Sequence, residues 1–356
     1  MFEDKQQSPL TPISTLGEFG LIKHLTQFFP AENISTELGV GDDAAIINAE
    51  GKKVLVSTDM FTEGVHFNLG YTPLKHLGYK VVVAGISDIA AMNAVPTQIM
   101  ISVAVSNRFP VEALEEIYAG VQLACRRYKV DLVGGDTTSS QTGLVINVTA
   151  VGLESSENII NRNGVKPNDL LVVTGDLGGA YMGLQILERE HSVYLKNPNM
   201  QPEMEGYDYI LERQLKPEAR TDIKGILEEL GVKPTSMIDV SDGLASEVLH
   251  LSDRSKVGFR IYEEKIPMDE LTISTADEFN LNPVMTALNG GEDYELLFTI
   301  SQSDFDKIKN NPDFTIIGHA VEEEQGNYLV LRGSNELAEL TAQGWDAYLK
   351  SKKKTE

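Results

Sequence analysis

Between His76 and Met92 the chain is apolar almost throughout, and a single acid stands inside the apolar pattern. Read as a helix, the segment puts Leu77, Val81, Ala84, Asp88 and Met92 on one stripe, at i, i+4, i+7, i+11 and i+15, with Val82, Val83, Ile86, Ile89 and Ala90 beside them. A helix of this kind belongs inside a core, and it forces Asp88 inward. An ionised carboxylate there is costly unless it is paired or bound to a metal. The competing reading makes Asp88 part of the cap of a shorter helix that begins at Ser87.

The rest of the chain alternates between two periods. Gly17 to Phe29 reads as a helix with Leu21, Ile22, Leu25, Phe28 and Phe29 on its apolar face, stopped by Pro30. Val54 to Ser57 reads as a short strand, and Ile99, Ile101, Val103 and Val105 alternate as one buried strand face. Glu112 to Tyr128 is an amphipathic helix through Leu114, Ile117, Val121, Ala124, Cys125 and Tyr128. Asp131 to Val133 and Leu144 to Val151 follow as strands. The polar run from Glu154 to Asp169 marks a domain boundary. Beyond it, strands are expected at Leu170 to Thr174, Leu296 to Ile300, Thr315 to Ile317 and Tyr328 to Leu331. Helices are expected at Ala180 to Glu190, Asp222 to Leu230 and Leu244 to Ser252, and a long loop at His191 to Gly206. At 356 residues the chain has room for two domains, here 1–157 and 158–356, with no 20 to 50 residue repeat. The class is α+β with mostly antiparallel sheet.

Charge narrows the function. Asp plus Glu number 53 against 30 Lys plus Arg, a formal charge of −23, and the only basic stripe is the tail from Lys350 to Lys354. Nucleic acid is therefore not the expected partner, and anionic substrates require cations between their charge and the protein's. No stretch approaches 18 apolar residues and MFEDKQQSPL has no signal-peptide pattern, so a cytoplasmic protein away from membranes is expected. Cys125 stands alone, and the six histidines lack i, i+4 pairing, which removes disulfides and zinc-hydrolase chemistry.

Five short segments set Asp beside Gly, Ser or Thr where strands end or helices begin: GVGDDAAII, VSTDMFTEGVHF, ISDIAAM, GGDTTSS and IDVSDGL. Carboxylates, hydroxyls and close-approaching glycine backbone are the oxygen donors that hard divalent cations take. Asp42 and Asp43 emerge side by side after Gly39 and Gly41; Ser57, Thr58 and Asp59 end an apolar strand; Asp136 follows Gly134 and Gly135. Asp239 and Asp242 flank the start of a helix, where backbone amides also favour phosphate. Taken singly, each segment is equally a solvated turn or a cap; His66 alone reads more readily as a packed or capping residue than as a ligand. GGEDYELLF adds Glu292 and Asp293 ahead of a strand, either facing a substrate or forming a charged hairpin tip. Arg162 is a bidentate phosphate contact or a solvated loop residue. Neither a P-loop nor a protein-kinase glycine loop with HRD is present.

From GEFGLIKHL at Gly17 through GDDAA, STD, EGVHF, SDIAAM, GGDTT, RNGVKPND, DVSDGL and GGEDYEL to GWDAY at Gly344, the chain resembles the thiamine-monophosphate kinase family. The family sits in the superfamily of aminoimidazole ribonucleotide synthetase, selenophosphate synthetase and the hydrogenase-maturation dehydratase. The resemblance implies a two-domain α+β architecture, an N-terminal domain with a mixed sheet that dimerises, and ATP-dependent conversion of thiamine monophosphate to thiamine diphosphate. It assigns Asp43, Ser57, Thr58, Asp59, Asp88, Asp136, Asp239 and Asp242 to magnesium, with Asp88, Asp136 and Asp242 central to catalysis. Tyr118, Gly135, Asp136, Arg162 and Ser241 are assigned to ATP, and His66, Glu292 and Trp345 to the thiamine phosphate. Asn93 departs from the family's usual glycine, and Tyr348 with the Lys-rich tail extends past its usual ending.

The chemistry implied is direct in-line phosphoryl transfer between two anions. At about 4 Å and an effective dielectric near 20, each pair of unit charges repels by about 4 kcal/mol, so neutralisation comes first. With few Lys or Arg in the motifs, magnesium has to supply it. Two alternatives remain at this point: an aminoimidazole ribonucleotide synthetase-like enzyme, and a non-catalytic acidic metal-binding protein. Selenophosphate synthesis lacks its N-terminal Cys here, and the chain ends KKKTE rather than in the maturation enzyme's Cys.

Overall fold

The structure, a computed structural model, describes residues 11–12, 15–38 and 46–342. Asp42, Asp43, Trp345, Tyr348 and the tail lie outside the described residues. The chain divides into two compact units: Met1–Ile159 with His191–Pro202 and Leu215–Lys224, and Ile160–Glu190 with Glu203–Gln214 and Gly225–Glu356.

In the first unit, helix α1 (Gly17–Thr26) precedes a small antiparallel pair, β1 (Thr36–Leu38) and β2 (Ile46–Ile47). Then come β3 (Lys53–Thr62), α2 (Leu74–Ala91), β4 (Val95–Val105), α3 (Val111–Tyr128), β5 (Asp131–Ser139) and β6 (Val145–Glu154). Their four-stranded sheet runs β3-β6-β4-β5, antiparallel around β6 and parallel between β4 and β5. Strand alternation gives it an apolar inner face of Leu55, Phe61, Ile99, Ile101, Val103, Ile146, Val148 and Ala150, all buried. Helix α2 packs on that face and α3 packs on α2. The two helices approach so closely that a Cβ on Gly78 would lie 1.9 Å from the Ile117 carbonyl oxygen, and one on Gly120 1.9 Å from that of Lys75. Glycine at both positions sets the helix separation, because the obstructing atoms are backbone and cannot turn aside.

The second unit is built on β7 (Leu170–Thr174), α4 (Gly179–Lys196), α5 (Asp208–Leu215), α6 (Ile223–Leu230), β8 (Ser236–Asp239), α7 (Leu244–Ser255) and β9 (Val257–Tyr262). It continues with α8 (Glu270–Glu278), α9 (Pro283–Asn289), β10 (Leu296–Ile300), α10 (Phe305–Ile308), β11 (Phe314–Glu322), β12 (Asn327–Val330) and β13 (Leu337–Glu339). The end of α4 from His191, the final residue of α5 and the first two residues of α6 belong to the first unit. Seven strands run β13-β12-β9-β11-β7-β10-β8, antiparallel except for the parallel pair β12 and β9. Leu171, Val173, Ile238, Phe259, Leu297 and Ile317 from the sheet bury against Leu244, Val248 and Leu251 of α7.

Three expectations need correction. The loop expected at His191 to Gly206 begins as helix, because α4 continues to Lys196. Asp136 does not sit on a turn after a short strand: β5 runs on to Ser139, paired with β4 through its backbone, so the glycines interrupt the side-chain pattern but not the ladder. Asp88 lies inside α2, one turn from its end, so Ser87 does not begin a helix.

Candidate active site

In the first unit the strand β3 carries an interruption of its apolar face. Leu55 and Phe61 are buried, and Ser57 and Asp59, which share their side of the strand, stand between them half-buried. Asp88 of α2 meets them: the Ser57 hydroxyl donates to the Asp88 carboxylate. Burial first, and the neighbouring Asp88 charge second, push the Asp59 carboxyl up to about 6. Its Oδ2 is buried with no hydrogen-bond partner among the described residues. Two acids at one place, one with an orphaned oxygen, are the donor set of a hard cation.

The other first-unit residues are spread more widely. Thr58 points to the opposite face of the sheet, where its hydroxyl donates to the Val148 carbonyl at 3.0 Å and accepts from Asn147 Nδ2 at 3.0 Å. Asp136 is exposed, opposite Ser102 in the β4–β5 ladder, and accepts from the Thr137 amide at 2.9 Å. Gly135 admits no side chain, since a Cβ would lie 1.8 Å from the Ile101 carbonyl oxygen. Tyr118 is buried in α3, edge-on to Phe29, and burial raises its phenol to about 12. His66 Nδ1 accepts the Thr62 amide at 3.1 Å, so the neutral ring carries its proton on Nε2.

In the second unit two motifs are laced together. The Val240 amide donates to the Glu295 carbonyl at 2.7 Å, the Tyr294 amide to that of Val240 at 2.9 Å, and the Glu292 amide to that of Ser241 at 2.7 Å. DVSDGL and GGEDYEL thereby become one structural unit. Asp239, the last residue of β8, is buried; Asp242 stands at the entrance to α7. Burial raises the Asp242 carboxyl, His250 and Arg162 pull it back, and the Glu292 charge raises it, which sets those three groups within electrostatic reach of Asp242. Glu292 accepts from Gln214 Nε2 at 3.1 Å.

Asp293 faces inward rather than toward a ligand. It is fully buried and accepts the Gly178 and Ala180 amides at 2.8 and 3.3 Å, at the start of α4. Arg213 lies 3.6 Å from it and donates to Glu295 at 2.9 Å.

Among the described residues, no group of three or more His, Cys, Asp or Glu side chains is placed to hold a metal ion by itself. Of the expected ligands that lie among the described residues, Ser57, Asp59 and Asp88 meet in the first unit. Asp239 and Asp242 share a neighbour that sequence reasoning missed. Glu247 of α7 is buried and feels both charges; burial is the largest of the causes that raise it to about 8. An acid in the first turn of a helix opened by Gly243 was its only signal.

A family model described as "AIR synthase related protein, N-terminal domain" matches residues 41–153. Thiamine-monophosphate kinase of Bacillus subtilis (strain 168) is 34% identical over 295 residues, 83% of this chain and 86% of its own length. That of Aquifex aeolicus (strain VF5) is 33% identical over 320 residues, 89% and 95%. The chain belongs to the thiamine-monophosphate kinase family. The crystal structure of the Stenotrophomonas maltophilia K279a member superposes with a TM-score of 0.73 at 25% identity, covering 88% of this chain and 95% of its own. AaThiL complexed with AMPPCP and TMP superposes with a TM-score of 0.68 at 29% identity, covering 95% and 98%. The hydrogenase maturation protein HypE, 17% identical with a TM-score of 0.69 and covering 90% and 95%, shares the fold. Family members and HypE alike are α+β, as the patterning of this chain predicts. Among the described residues no helix is long and apolar enough to cross a membrane.

Proposed function

We infer that the protein transfers the γ-phosphoryl group of ATP to the phosphate of thiamine monophosphate, giving thiamine diphosphate and ADP. The bond from the γ-phosphorus to the β-bridging oxygen breaks as a bond to an oxygen of the acceptor phosphate forms. The observation that carries the reading is the acid pair Asp59 and Asp88, in which Asp88 accepts from the Ser57 hydroxyl and Asp59 keeps a buried carboxylate oxygen with no partner among the described residues, in a chain of this family.

That orphaned oxygen fits magnesium, and we assign Asp43, Ser57, Asp59, Asp88 and Asp136 of the first unit, and Asp239 and Asp242 of the second, to magnesium ions; Thr58, whose hydroxyl faces the other side of the sheet, would contribute through its backbone. When bound, magnesium neutralises phosphate charge and stabilises the charge that develops on the transferred group. The chain's own residues do the rest. Asp88, Asp136 and Asp242 form the catalytic set of acids. Arg162 offers a fixed fork to phosphate oxygens, and Tyr118, Gly135, Asp136 and Ser241 complete the ATP contacts. His66, Glu292 and Trp345 take the thiamine phosphate. With Nδ1 accepting the Thr62 amide, the neutral His66 ring carries its proton on Nε2 and is a donor there. No base is required of it, because the acceptor phosphate is already ionised near neutral pH. Positioning is then the main catalytic device.

We place the enzyme in the cytoplasm as a homodimer. Val54, Val56 and Met60 lie exposed on the outer face of β3, an apolar row that a second copy of the sheet would cover.

Incubation with ATP, Mg²⁺ and thiamine monophosphate, followed by chromatography, is expected to give thiamine diphosphate and ADP in equal amounts. ATP consumption that does not depend on thiamine monophosphate would overturn the reading.

A further inference from the structure

We propose that Glu247 is a positioning residue, which fixes the turn carrying Asp239, Ser241 and Asp242 by holding the Asp242 amide. The inference rests on the kinase reading, which assigns those three residues to magnesium and ATP. Backbone hydrogen bonds to Tyr294, Glu295 and Glu292 lace the turn as far as Ser241. At Asp242 a side chain takes over, and its amide donates to Glu247 Oε1 at 3.0 Å.

The placement of Glu247 is set by its helix. Its own amide donates to the Gly243 carbonyl at 3.3 Å, and Leu244, Ala245, Val248 and Leu251 anchor α7 in the core with no exposed surface. The carboxylate reaches back over the helix start, as the acid of a capping box does. Glu247 is only 3% exposed, so it bears a desolvation cost that a serine or asparagine cap at the surface avoids. What it provides in exchange is direction: the acceptor arrives from the core side, and it engages the Asp242 backbone and not its carboxylate.

The proposal separates the hydrogen-bond acceptor from the charge, so two variants test it. Glu247→Gln keeps an oxygen for the Asp242 amide and loses the titratable carboxyl; Glu247→Ala loses both. Two quantities are measured for wild type and both variants. The first is the magnesium concentration for half-maximal formation of thiamine diphosphate, at saturating ATP and thiamine monophosphate. The second is the calorimetric Kd for AMPPCP with Mg²⁺, with thermal melts alongside. Glu247→Gln is expected to stay within about threefold of wild type in both, while Glu247→Ala weakens both about tenfold or more. Equal impairment of the two variants overturns the proposal in favour of a charge or ligand role, and wild-type values in Glu247→Ala overturn it outright. If Glu247→Ala fails to fold, Glu247→Gln decides, since loss of binding in it contradicts an acceptor role. A wild-type protein that binds the nucleotide but forms no thiamine diphosphate sinks the kinase reading alone, and the Kd series still judges Glu247. One that binds no nucleotide sinks both.

Discussion

The Ser57 hydroxyl and the Asp88 carboxylate are hydrogen-bonded across 31 positions of sequence, joining strand β3 to helix α2. This contact gives Asp88 a partner inside an apolar helix, and it leaves Asp59, two residues along the same strand face, as the acid with an oxygen unmatched among the described residues. Function and stability therefore oppose each other at Asp59.

Asp59 has a folded-state pKa raised from 3.8 to about 6 by burial and the Asp88 charge. An acid shifted upward binds its proton more tightly in the folded state, so its contribution is fully present below pH 3.8 and is lost as pH rises through 6. In chelator, Asp59→Asn is expected to be more stable than wild type by about 2 kcal/mol at pH 7 and equal to it near pH 4. Denaturant curves at both pH values check this. A difference that does not change with pH would show that the carboxylate charge is not the cause.

Asp88→Asn and Asp136→Asn are expected to keep the fold and to lower turnover by about two orders of magnitude or more, even at saturating magnesium. Asparagine at 88 still offers an oxygen to the Ser57 hydroxyl, and position 136 is exposed, so neither change opens a cavity. Circular dichroism alongside steady-state rates is the measurement, and near-normal turnover in both variants removes the proposed role of these acids.

His66→Gln retains an N–H donor near the position of Nε2, whereas His66→Ala does not. The expected result is a KM for thiamine monophosphate about tenfold higher in His66→Ala, with kcat within about threefold, and a milder change in His66→Gln. The pH profile of kcat should keep its acid limb in both. Loss of that limb would mean that the imidazole accepts a proton in the reaction.

Much of this fold was legible because burial writes itself as period. Leu114, Ile117, Val121 and Cys125 predict α3, and Leu170–Thr174 and Leu296–Ile300 coincide with β7 and β10, whose runs are short, apolar and bounded by turns. The Asp88 stripe predicts α2, and Asp88 stands on it half-buried against Ser57. What was illegible was held by backbone or by contacts distant in sequence. Gly134 and Gly135 hide the second half of β5, whose pairing needs no side chains. The end of α4 looks polar in HSVYLK, yet His191 packs edge-on against Tyr71. Helices α8 and α9 did carry readable starts, with Asp269 accepting from Leu271 and Asn282 from Val284 just before Pro283. In the candidate site, the residue types announced cation chemistry. Which of them meet depends on strand faces: Ser57 and Asp59 share one, and Thr58 has the other.

Gly120→Ala tests the close helix contact. Its Cβ would stand 1.9 Å from the Lys75 carbonyl oxygen, so α2 and α3 must separate along their length. Since α2 also bears Asp88, the variant is expected to lose about 3 kcal/mol of stability and to show reduced turnover at temperatures where it remains folded. Retention of wild-type stability in a chemical denaturation curve would mean that the helices have room to spare.

Arg213 balances the buried acids of the second unit. It donates to Glu295 at 2.9 Å and to the Asp176 carbonyl at 2.9 Å, with Asp293 3.6 Å away. Burial raises Asp293 to about 6 even with the arginine present to pull it down. Arg213→Met fills a similar volume but withdraws the positive charge, leaving two buried carboxylates that repel, and is expected to cost about 3–5 kcal/mol at pH 8. The sign of the pH dependence follows from Asp293: a carboxyl raised in the folded state gains a proton as pH falls through 6, which removes one of the opposing charges. The variant should therefore recover part of its lost stability at pH 5, and adding Glu295→Gln should recover part of it at pH 8. Equal losses at both pH values, with no rescue by the second change, would assign the cost to packing around the arginine stem instead of to unpaired charge.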